Sequence, residues 1–113
     1  MVIEGITNAR FGLLEGKLAD ALMAADQRAL PGIAQEYEDL SMRRLIALCG
    51  ELQRRAGDQT FFLTGDAVGP LLGVSGRTAR RYLTLLVNDQ VLELVKRGHT
   101  LVAPEYRITF ARD

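Results

Sequence analysis

Three arginines, Arg77, Arg80 and Arg81, fall within five residues of this 113-residue chain. A guanidinium can fork onto a phosphate, or onto guanine O6 and N7 in the major groove of DNA. A second basic group, Lys96-Arg97-Gly98-His99, follows. Little else points to chemistry. The one cysteine, Cys49, makes neither an intrachain disulfide nor a Cys-based zinc site. The one histidine, His99, leaves no cluster of metal ligands. There is no Cys–His pair and no Gly-rich phosphate loop ending in Lys-Ser/Thr. Asp66, Asp89 and Glu93 are scattered acids that capping and solvation explain. The expectation is a non-enzymatic protein with no catalytic, cofactor or metal site.

The elements that must position the arginines can be read around them. Ser75 is the expected N-cap of a helix over 76–88, with Ala79, Leu83, Leu86 and Val87 turned inward. Its outer face then holds Gly76, Arg77, Arg80, Arg81 and Thr84, with Thr78 in the first turn. Cations in the N-terminal half of a helix oppose the macrodipole by about 0.3 kcal/mol or more each. An anionic partner would offset that cost; a plainly solvated face is the alternative. The preceding stretch, 65–73, reads as a short helix. Gly69 is small enough for two steeply crossing backbones to approach, Gly73 tolerates the positive φ of a tight turn, and Val74 plugs the gap. Pro70 removes a helical donor, so this helix is expected to be kinked or to start late.

Upstream, Leu14, Leu18 and Leu22 recur at helical spacing in a helix predicted over 7–27. Leu30-Pro31-Gly32 breaks the chain, and the acidic residues of 33–40 suit the first turns of a helix. A stronger helix is predicted over 41–56. Ser41 is its expected N-cap, Leu45, Ile46, Leu48, Cys49 and Leu52 its apolar stripe, and Gly57 its C-cap. On that stripe Cys49 reads as a small buried apolar residue. Arg43, Arg44, Arg54 and Arg55 decorate the same helix. Residues 60–64 read as a short strand.

After 88 the period changes from 3.6 to 2. A strand over 91–97, a turn at Gly98-His99-Thr100 and a second strand over 101–110 are expected. Tyr106, Ile108 and Phe110 share one face of the last strand, and Arg107 and Thr109 the other. Pro104 limits that strand to an edge or a bulge. Tyr82 reads as a packing residue at the helix edge.

The length suits one domain. With 48% apolar and 25% charged residues the composition is that of an ordinary globular protein. Basic and acidic residues balance at 14 each, which excludes binding to DNA through bulk positive charge. The distribution is uneven. Residues 1–75 carry seven Lys/Arg against ten Asp/Glu, and residues 76–113 seven against four. No apolar run is long enough to span a membrane, and the N-terminus lacks a basic segment followed by an apolar core. A reducing, cytoplasmic setting is expected.

From 41 onward the order is helix, strand, helix, tight turn, helix, strand, turn, strand. Leu72-Gly73-Val74-Ser75, Thr78-Ala79-Arg80-Arg81-Tyr82-Leu83, Leu86-Val87 and Val91-Leu92-Glu93-Leu94 resemble the winged helix-turn-helix superfamily. Phe61-Phe62-Leu63-Thr64-Gly65 and Ala103-x-Glu105-Tyr106-Arg107 are similar to winged-helix modules attached to phage and plasmid primase or replication proteins. The resemblance covers residues 41–110. It implies a mainly α, α+β fold, a winged helix-turn-helix over 41–113 with a β-hairpin wing, to which residues 1–40, read as helical from their spacing, would add an N-terminal helical extension. It departs from the family at Gly69, where Ala is usual, and in its short wing turn.

Together these readings predict a double-stranded DNA-binding module in replication or transcription regulation. Helix 76–88 would enter the major groove through Ser75, Gly76, Arg77, Thr78, Arg80, Arg81 and Thr84. The hairpin tip over 96–100 would grip backbone through Lys96, Arg97 and His99. A charged turn that merely keeps an edge soluble is the alternative for the tip. The alternative for the whole chain is a protein-interaction module of a larger replication protein, or a homodimer joined through the Leu14/Leu18/Leu22 stripe.

Overall fold

Short polar side chains and glycines set the element boundaries, as seen in a computed structural model that describes the backbone of residues 12–110 and the side chains of residues 17–110. Helix α1 is Gly12–Asp26, α2 is Leu40–Ala56, α3 is Gly65–Leu72 and α4 is Gly76–Asn88. Strands β1 (Phe61–Phe62), β2 (Leu92–Lys96) and β3 (Glu105–Ile108) form an antiparallel sheet in the order β1-β3-β2. The result is a small α+β domain, mainly helical. Among the described residues no helix is long and apolar enough to cross a membrane.

Of the predicted helix over 7–27, residues 7–11 lie outside the described residues, and α1 otherwise matches. It runs antiparallel to α2, pinned by Arg44–Asp26 at 2.7 Å and Arg55–Asp20 at 3.3 Å. Leu18, Ala21 and Leu22 are buried in a core shared with α2, the sheet and α4. Leu18 and Leu22 are therefore not a free dimerisation stripe, which corrects that expectation; the Leu14 side chain lies outside the described residues. Arg43 donates to the Tyr37 carbonyl in the chain before α2, and Arg54 and Arg55 pair with Glu51 within α2, so these arginines are engaged in contacts that hold the fold.

Residues 33–40 do not open a helix. Gly32–Glu36 form a 3-10 turn, and the chain is extended at Tyr37 and Asp39. The N-cap of α2 is Asp39, not Ser41. The Asp39 carboxylate accepts from the Ser41 and Met42 amides at 2.8 and 3.4 Å and from the Tyr82 phenol at 2.8 Å. The Ser41 hydroxyl instead donates to the Leu72 carbonyl. Asp39 thus ties α2 to α4, and Tyr37 adds a second tie by donating to Asp89, the C-cap of α4, at 2.7 Å.

Cys49 is fully buried, and burial pushes its thiol up to about 12. Gln53, also buried, joins three segments. Its amide donates to the Gly57 and Gln59 carbonyls, and its carbonyl oxygen accepts from the Ile108 amide at 3.0 Å. Gly50 does not interrupt α2; it lies against the Phe110 ring.

The predicted strand over 101–110 is shorter. β3 ends at Ile108, and residues 97–104 form the hairpin connection, closed by reciprocal amide–carbonyl bonds between His99 and Val102 at 2.8 and 3.1 Å. The connection is longer than the expected three-residue turn because Pro104 turns the chain back beside Gly98, where a Cβ would lie 2.6 Å from the proline nitrogen. Tyr106 and Ile108 are buried, Phe110 is partly so, and Arg107 is exposed and faces Glu93 across the strands at 3.7 Å.

Candidate nucleic-acid interface

The geometry of α4 is set by the turn before it. Thr64 caps α3 by accepting from the Ala67 amide at 3.1 Å, so α3 begins at Gly65 and not late. It continues through Pro70 to Leu72. Gly73 then adopts φ +77, a left-handed conformation that a side chain would strain. Its amide, with that of Val74, returns to the last carbonyls of α3. Gly69 lies against the turn and the first residue of α4, where a Cβ would meet the Val74 and Ser75 carbonyls at 2.9 Å and the Gly76 nitrogen at 3.0 Å. Ser75 caps α4 by accepting from the Thr78 amide at 3.0 Å.

Ala79, Leu83 and Leu86 bury one side of α4, and Val87 packs at the core's margin. The opposite side carries Arg77, Arg81 and Thr84, all exposed. Among the described residues Arg77 and Arg81 show no acidic partner. Arg80 departs from the expectation of a free cation: its Nη1 donates to Asp66 Oδ1 at 2.5 Å, with the arginine 56% and the aspartate 79% exposed. Asp66 therefore does more than cap and solvate. Ser75 and Thr78 bond each other through their hydroxyls, and the Thr84 hydroxyl donates to the Arg80 carbonyl.

Tyr82 is half-buried at the edge of α4. The Asp39 carboxylate holds its phenol above the usual range, and the same bond holds Asp39 below the ordinary carboxylate value. It tethers α4 to the N-cap of α2.

Lys96, Arg97 and His99 are exposed on the hairpin. A groove of about 300 Å³ separates α4 from the base of the hairpin and is lined by Thr64, Asp66, Arg80, Thr84 and Pro104. Thr64 also borders the hollow under Gly98, His99 and Leu101. Arg80 and Thr84 of α4, the start of α3 and the hairpin connection from Gly98 to Pro104 thus share one surface, while Arg77 and Arg81 line neither hollow. Leu101, 89% exposed at the hairpin tip, also belongs to it. Its place in an apparent strand concealed it from sequence reasoning. Among the described residues no group of His, Cys, Asp and Glu could hold a metal ion.

No protein-family model matches this chain, and comparisons with curated proteins and with solved structures find no match.

Proposed function

We propose that the domain is a winged helix-turn-helix that binds double-stranded DNA without catalysing a reaction. Helix α4 enters the major groove, and the hairpin over 96–100 lies on the flanking backbone. Its setting is cytoplasmic, and its role lies in replication or transcription regulation. One observation carries the reading: α4 buries one face completely and presents Arg77 and Arg81 outward, unpaired among the described residues, beside a hairpin bearing Lys96, Arg97 and His99. A helix presenting its N-terminal half after a tight turn is the docking arrangement of helix-turn-helix proteins. A face kept merely soluble needs no such clustering of one sign.

The test is retention of random duplex DNA over a salt series. With about five cations on phosphates, log K should fall against log salt with a slope of roughly −4 to −5. R77A/R81A should weaken binding at least tenfold at low salt and flatten the slope by about 2. Binding equal to wild type in that double variant would show that the face is not the one used. Capture of an acidic protein with no retention of DNA would favour the protein-interaction reading.

A further inference from the structure

Asp66 is an exposed acid on a surface read as facing a polyanion. Solvation does not explain its position. The first residues of α3 and α4 are both glycine, Gly65 and Gly76. A Cβ at Gly76 would collide with the Asp66 carboxylate, and one at Gly65 with the Arg80 stem as well as the Gly76 carbonyl at 2.7 Å. The missing side chains make the space in which Arg80 crosses the start of α3 and meets Asp66. An exposed ion pair of this kind adds little stability. An aspartate in the first turn of α3 favours that helix's dipole, but this does not require a partner on α4.

We propose that Asp66 is a positioning residue that fixes the Arg80 guanidinium for a guanine in the major groove. The inference rests on the DNA-binding reading above. Only Nη1 is engaged with Asp66. The rest of the fork remains free to donate to guanine O6 and N7 as a bidentate pair. Holding one corner of the plane removes the rotamer freedom that an exposed arginine would lose on binding. Arg77 and Arg81, which have no such holder among the described residues, supply phosphate attraction, and Arg80 supplies base choice. Asp66 also repels the backbone, so it trades affinity for unselected DNA against discrimination.

The experiment is selection from a randomised duplex library, followed by affinity for the selected site and for the same site with that G·C pair inverted. Wild type should prefer a G·C pair at one position by about tenfold or more, and R80A should lose that preference. D66N should lose most of it while binding unselected DNA as well as or better than wild type. D66E keeps the charge but moves the carboxylate by one methylene. It should lower the preference without changing the salt slope, which a purely electrostatic role of Asp66 would not do. A guanine preference sensitive to R80A but intact in both D66N and D66E overturns the positioning role alone. Failure of the wild type to retain duplex DNA at low salt overturns the DNA reading itself. Asp66 is largely exposed, and circular dichroism of each variant verifies that the fold is kept.

Discussion

Glu51 shows how a single side chain can matter more than its place in the sequence suggests. It is 5% exposed, and Arg28, Arg54 and Arg55 converge on it, with Arg28 at 2.7 Å. Burial alone would raise its carboxyl. Hydrogen bonds from Arg55 and Arg28 outweigh that and hold it below the ordinary 4.5. A depressed folded-state value means that its contribution is complete above the ordinary carboxylate range. The contribution is then lost as pH falls below 4.5 toward the folded-state value. E51Q should therefore lower stability by about 1–2 kcal/mol at pH 7. The gap from wild type should narrow as pH falls below 4.5. Urea midpoints of the two proteins from pH 7 to pH 3 measure it, and a gap independent of pH would refute the account. The apolar stripe legible in the sequence, Leu45, Ile46, Leu48, Cys49 and Leu52, does not include Glu51, because periodicity does not reveal that the end of α1 and the 27–31 turn lie over that side.

At the scale of elements, legibility followed the range of the interactions. The bounds of α4 could be read in advance because Gly73, Val74 and Ser75 act on their own neighbours: one supplies the left-handed turn, another the cap. The cap of α2 could not, since Asp39 and Ser41 are both short side chains whose oxygens can accept from the first amides of a helix. The choice between them depends on the extended chain at Tyr37 and on a phenol from α4. The extent of the hairpin connection is hidden for a similar reason. Leu101 and Val102 look like strand residues, but the contact between Gly98 and Pro104 removes them from the ladder. The Asp66–Arg80 pair spans two helices and depends on how they cross. Gln53 is the clearest long-range case, since its amide serves the α2–β1 connection and β3 together. Q53L keeps the volume but leaves the Ile108 amide without its side-chain acceptor in a buried setting. It should cost about 1–3 kcal/mol. The denaturant midpoint should fall while the slope of the transition stays constant. An unchanged midpoint would mean that water replaces the amide without loss.

For the whole molecule, a net charge of zero conceals two different surfaces. On the N-terminal part it is the bases that are cancelled locally: Arg28, Arg54 and Arg55 by Glu51, Arg44 by Asp26, and Arg55 also by Asp20, while Glu36, Glu38 and Asp58 have no basic partner within salt-bridge distance among the described residues. Around α4 and the hairpin, Arg77, Arg81, Lys96 and Arg97 have no acidic partner within salt-bridge distance among the described residues. A neutral molecule built this way is a dipole, and a dipole should meet a polyanion in one orientation. Orientation is testable through which charges enter the salt dependence. K96A/R97A removes two cations from the hairpin and should reduce the magnitude of the log K against log salt slope by about 2. K17A removes an exposed cation from α1 and should leave the slope unchanged, because that surface would not reach the phosphates. Equal flattening per charge in the two variants would mean that the protein binds in many orientations. The α4 face would then have no privileged role, and base preference at Arg80 would disappear with it.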